Sequence, residues 1–75
     1  MAKQRDSNGN RQGTIVRVVR DRGFGFVRDG DGKEYFFHAS CLPLGVFAEL
    51  AIGDSVTFVI GDGAKGPRAE SMELL

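Results

Sequence analysis

Seventy-five residues suffice for one domain around one small core, and a chain this short buries only about 60% of its unfolded surface. Ten Lys and Arg balance ten Asp and Glu, so net charge points neither toward nor away from a polyanionic partner. A single cysteine excludes an intramolecular disulfide, and no apolar run approaches the ~20 residues of a membrane helix. The polar N-terminal stretch has no secretory leader pattern, which gives the expectation of a cytoplasmic protein without membrane contact.

In chain order, residues 1–12 (MAKQRDSNGNRQ) have almost no apolar content and are expected to form a disordered tail ahead of a domain spanning 13–75. Thr14–Arg20 is rich in Ile and Val without a helix cap and reads as a first strand. Its alternation slips around Val18-Val19, which predicts a bulge or strong coiling there. Gly23–Arg28 reads as a second strand. Gly25 within it is expected to leave open space beside the neighbouring rings, as a bulge or close-approach site. Asp29-Gly30-Asp31-Gly32 is a hairpin signal, and Lys33–His38 reads as the third strand.

Ala39–Gly53 is a long connection broken by Pro43 and Gly45, with a helical turn expected near Phe47-Ala48-Glu49-Leu50. Asp54–Ile60 alternates cleanly as a fourth strand, with Val56, Phe58 and Ile60 inward. After the glycine-rich stretch 61–67, Arg68–Leu74 is predicted as a fifth strand along an edge, since Pro67 fits only at a strand start. Five short strands with a long connection after the third predict an all-β fold: a small, closed or nearly closed antiparallel barrel.

Alternation sorts the hairpin into two faces. Val27, Tyr35 and Phe37 share the inward face with Ile15, Val56, Phe58 and Ile60. Phe24, Phe26, Phe36 and His38 fall on the other. One face is enough for a core, so the second aromatic face needs a different explanation, and stacked bases supply one. Residues 14–28 add Arg17, Arg20, Arg22 and Arg28 against Asp21 alone, whereas the second half is mainly acidic. Arg17 and Arg22 are candidate contacts because they neighbour the rings. Arg28, Lys33 and Arg68 are expected to be solvated.

Arg22-Gly23-Phe24-Gly25-Phe26-Val27 resembles the first ribonucleoprotein motif of the cold-shock domain, normally Lys-Gly-Phe-Gly-Phe-Ile. Tyr35-Phe36-Phe37-His38-Ala39 resembles the second, normally Val-Phe-Val-His-Phe, and Gly66-Pro67 falls at the family's strand start. The resemblance covers residues 13–75 and implies a five-stranded OB-type β-barrel that binds single-stranded RNA and DNA. It implies stacking platforms at Phe24, Phe26, Phe36 and His38, basic contacts at Arg22 and Lys65, and an acid at Glu34 able to hydrogen-bond a base edge. Phe47 would be a further platform at the rim. From its own surroundings in the sequence, rim platform and loop anchor both stay open for it.

Two departures stand out. Arg17 replaces a tryptophan of the family's Lys-Trp-Phe-Asn, and Ala39 replaces a phenylalanine. Arginine can stack on a base and also meet a phosphate, so the first departure alters the site without removing it. Together they imply weaker binding, or a different base preference, than a member with every ring. The implied role is that of an RNA chaperone which holds strands unpaired without ATP, acting as a monomer.

Catalysis has little support: one histidine and one cysteine lack an orienting acid, and the glycine-rich runs lack a phosphate-loop ending. No enzyme activity, cofactor, metal or small-molecule substrate is expected, since His38 with Cys41 makes at most two ligands. A reading of another class is that the same aromatic face docks a protein. It differs in not requiring Arg17 and Arg22.

Overall fold

The computed structural model describes residues 10–63 and 66–75. Five strands follow one another as β1 (Asn10–Val19), β2 (Phe24–Asp29), β3 (Glu34–His38), β4 (Ser55–Gly63) and β5 (Gly66–Leu74). A 3₁₀ turn (Ala39–Cys41) and a one-turn helix α1 (Val46–Glu49) lie in the β3–β4 connection, the helix where a helical turn was expected. The strands close in the order β1-β2-β3-β5-β4, with β4 returning to β1. Four seams are antiparallel, and the closing contact of β3 with β5 is parallel through Phe36 and Arg68. An all-β, closed five-stranded barrel is thus what the alternating segments build.

Alternation explains the core. Ile15, Val27, Phe37, Val56 and Phe58 are fully buried, and Leu50 from the long connection plugs the barrel beside them. Tyr35 completes the inward face of β3, its ring 5.7 Å from that of Phe58. Ile60 is only half-buried and packs against this core from its margin.

Two irregularities set which residues face inward. Ile15 pairs with Val27 and Arg17 with Phe26, so Val16 is an extra residue on β1. The bulge therefore lies at Val16, ahead of the predicted Val18-Val19. It lets Ile15 and Val18, three apart, both meet the core while Arg17 is exposed. On β5 the register passes from Thr57–Glu73 to Val59–Glu70, and Ser71 takes a φ of 51°. That extra residue turns both Ala69 and Met72 inward.

Three strand boundaries and contacts differ from expectation. β1 begins at Asn10, and Asn10, Arg11 and Gln12 pair with Val59, Phe58 and Thr57, because β4 is long enough to offer them partners. Residues 10–12 are thus strand, and the rest of the expected tail lies outside the described residues. β5 is no free edge, since it pairs with both β4 and β3. Gly25 is a close-approach site as expected, but it leaves no open space beside the rings, because alternation turns it inward while its neighbours' rings face outward. A Cβ there would stand 2.4 Å from the Arg17 carbonyl oxygen and 2.6 Å from the Phe37 ring.

Candidate nucleic-acid interface

The exposed face is built by two adjacent strands in register. Phe24 pairs with His38 and Phe26 with Phe36, so two successive outward rows each carry an aromatic on β2 opposite a ring on β3. The centroids of Phe24 and Phe36 are 5.5 Å apart, and those of Phe26 lie 6.1 Å from each. Phe26 meets both partners edge-on, an arrangement favoured by the ring quadrupoles. Phe36 is 37% exposed, and Phe24 and Phe26 are half-buried. Three of the four expected platforms thus form one cluster, with His38 at its end. The His38 Nδ1 accepts from the Ser40 N–H at 3.1 Å, which caps the 3₁₀ turn and leaves Nε2 as the ring's donor.

The charged residues surround the rings. Arg17 stands on β1 directly opposite Phe26, where the Val16 bulge has put it. Arg22 is exposed in the turn that leads into Phe24. Glu34 pairs with Arg28 across the next row, Arg28 Nη2 donating to Oε2 at 2.7 Å, with both side chains about half exposed. A groove of about 380 Å³ runs beside Phe26, lined by Val16, Arg17, Arg28 and Glu34. Lys65 lies outside the described residues.

Phe47 stands apart from the cluster. Its ring is half-buried and meets Phe37 edge-on at 6.3 Å, a contact that ties its loop to the core. Arg20 holds the same loop from outside. Its guanidinium donates to the carbonyls of Phe47 at 3.0 Å, Ala48 at 3.2 Å, and Leu50. These acceptors include carbonyls that a one-turn helix leaves unpaired at its C-terminal end.

Arg68 is exposed, as expected, but its neighbour was not foreseen. The parallel β3–β5 contact sets it beside Phe36, and Glu70 holds its Nε at 2.9 Å. Nothing local to residues 66–70 announces that neighbour, because it follows from barrel closure.

At the far end of β2, the Asp29 side chain is 3% exposed. Its Oδ1 accepts from the N–H groups of Asp31 at 2.9 Å and Lys33 at 3.0 Å, fixing the β2–β3 turn. Burial works to raise its pKa. The two N–H donors, the Arg11 guanidinium 3.8 Å away and the Tyr35 hydroxyl outweigh that effect and hold it below its ordinary value.

Among the described residues, no three His, Cys, Asp or Glu side chains gather as a metal group, and no helix is long and apolar enough to cross a membrane.

Comparison with known proteins agrees with this geometry. Residues 11–75 match the family model described as the 'Cold-shock' DNA-binding domain. The chain is 41% identical over 61 residues to the cold shock protein ScoF of Streptomyces coelicolor, covering 80% of this chain and 91% of that protein. It is 40% identical over 62 residues to the cold shock-like protein CspE of Buchnera aphidicola, covering 81% and 90%. The major cold shock protein of Streptococcus pyogenes is 33% identical over 64 residues, covering 85% and 96%. Among solved structures, Drosophila Unr CSD456 superposes with a TM-score of 0.74 at 28% identity. That match covers 92% of this chain, which spans 28% of the longer one.

Proposed function

This chain belongs to the cold-shock domain family, and from that premise we propose that it binds single-stranded RNA and DNA by stacking bases on the β2–β3 face. The observation that carries the reading is the cluster of Phe24, Phe26 and Phe36 on the outer face of a barrel whose core is already filled. Rings turned outward beside Arg17, Arg22 and Arg68 offer π-faces to bases and cations to phosphates. Every base has a π-face, so recognition of this kind tolerates sequence and requires the strand to be unpaired.

A protein that holds unpaired strands shifts a folding RNA toward its open forms by mass action, with no need of ATP. That is the action of an RNA chaperone, performed by a binding module and not an enzyme. His38, opposite Phe24, extends the stacking surface past Phe36 on β3. Glu34 meets base edges from the ion pair with Arg28. Lys65, at the β4–β5 connection, adds a cation.

The test is fluorescence anisotropy of labelled heptamers, as RNA and as DNA, beside the variants Phe26→Ala and Phe36→Ala, with circular dichroism to confirm folding. A stacked base is worth about 1–3 kcal/mol, so each variant is expected to lose roughly 5- to 150-fold in affinity. With two or three phosphates neutralised, log K should fall with log salt at a slope of about −1.4 to −2.1. A wild type that binds neither heptamer would return the face to the docking of a protein.

A further inference from the structure

Resting on the stacking reading above, we infer that the groove beside Phe26 is a guanine subsite, so that this chain prefers single strands carrying a guanine. Phe26 on β2 supplies the stacking surface, Arg17 on β1 lies opposite it, and Glu34 on β3 lies one outward row further on. A base laid on Phe26 therefore has a guanidinium on its β1 side and a carboxylate on its β3 side. Two strand spacings, about 9–10 Å, separate the strands that carry them.

Guanine complements both sides at once. Its O6 and N7 are adjacent acceptors, which an arginine meets with two parallel N–H bonds. Its N1–H and N2–H₂ are adjacent donors on the neighbouring edge, and only a carboxylate-like group accepts from both. Uracil sets its one N3–H between two carbonyls, and adenine and cytosine each place an acceptor next to their amino group. A carboxylate meets repulsion from all three.

The two groups are also prepared for the task. Arg28 donates to the Glu34 Oε2, which fixes the carboxylate, and among the described residues Oε1 has no hydrogen-bond donor. Among the described residues, Arg17 has no ion-pair partner that would compete for its guanidinium. It owes its outward position to the bulge at Val16. A planar aromatic in its place could stack but could not address O6 and N7.

The experiment measures binding of a uracil heptamer and of the same heptamer with one central guanine, adenine, inosine or 7-deazaguanine. It uses the wild type, Glu34→Gln and Arg17→Gln, each checked for folding by circular dichroism. Bidentate recognition gives an expected advantage of roughly 10-fold for guanine over uracil or adenine. Inosine lacks the N2 amino group and 7-deazaguanine lacks N7, so the wild type should lose most of that advantage with either. In Glu34→Gln the guanine-to-inosine ratio should fall to about one, and in Arg17→Gln the guanine-to-7-deazaguanine ratio should do so.

Equal binding of the guanine and uracil heptamers would overturn the guanine subsite while leaving the stacking reading intact. A guanine preference unmoved by the modified bases and by both variants would overturn it as well, since ring size alone would then be responsible. No binding of any heptamer would overturn the stacking reading, and the subsite with it.

Discussion

At Asp29 a carboxylate is taken out of solvent at the end of a strand and used as a clasp for the β2–β3 turn. The clasp works only while the group is ionised, because a protonated carboxyl is a weaker acceptor and gives up its attraction to Arg11. A folded-state pKa held below the unfolded value of 3.8 adds stability that is complete above the unfolded pKa. That stability is lost as pH falls through the lower, folded pKa. In Asp29→Asn this part of the pH dependence should vanish. Urea denaturation should find the variant less stable than the wild type by about 1–3 kcal/mol at pH 7, with the gap shrinking below about pH 4. A gap that stays constant down to pH 2 would show that the side chain acts by shape alone. His38 uses one ring nitrogen as a clasp too, since its Nδ1 caps the 3₁₀ turn and Nε2 is left over.

At the scale of the element, β2 is the strand on which both faces depend. Its phenylalanines supply the exposed cluster, while Gly25 between them lets the Phe37 ring and the β1 backbone approach. Adding one methyl group at Gly25 forces either the Arg17 carbonyl or the Phe37 ring to move. Gly25→Ala is therefore expected to destabilise the barrel by about 1–3 kcal/mol, read from chemical denaturation. Because the β1 carbonyl that must give way belongs to Arg17, heptamer affinity should drop in the same variant. Unchanged stability would mean that β1 yields at no cost at this point. The long β3–β4 connection is a second element tied at both surfaces, by Phe47 against Phe37 inside and by the Arg20 guanidinium outside.

For the whole molecule the deciding fact is how small the core is. Proteins of this length have net stabilities of about 4–11 kcal/mol. Truncating one fully buried ring costs about 3–5 kcal/mol, a large part of that total. Neighbouring residues on β3 make the contrast testable. Phe37 lies in the core and Phe36 on the exposed face. Phe37→Ala should leave the chain largely unfolded near 37 °C, whereas Phe36→Ala should stay within about 1 kcal/mol of the wild type and lose affinity instead. Thermal melts followed by circular dichroism separate the two, and equal losses would refute the assignment of faces. A barrel that keeps these rings outside its core can change them at little risk to folding.

The hairpin, the sorting of Phe24, Phe26, Phe36 and His38 away from Val27, Tyr35 and Phe37, and the barrel class were all legible in the order of residues. Side-chain direction alternates along a strand, and the rings of the two ribonucleoprotein-like motifs each lie within a single strand. The phase of β1 and β5 was not legible, because one extra residue at Val16 or Ser71 reverses every later side chain. Its position is settled by what the core across the barrel can accept. Arg68 reached Phe36 through barrel closure, and Arg20 found carbonyls 27 to 30 residues along the chain. Phe47 found an edge-on contact with Phe37, ten residues back along the chain. Such partners are chosen by the packing of distant segments, which leaves no mark on the local pattern of either one.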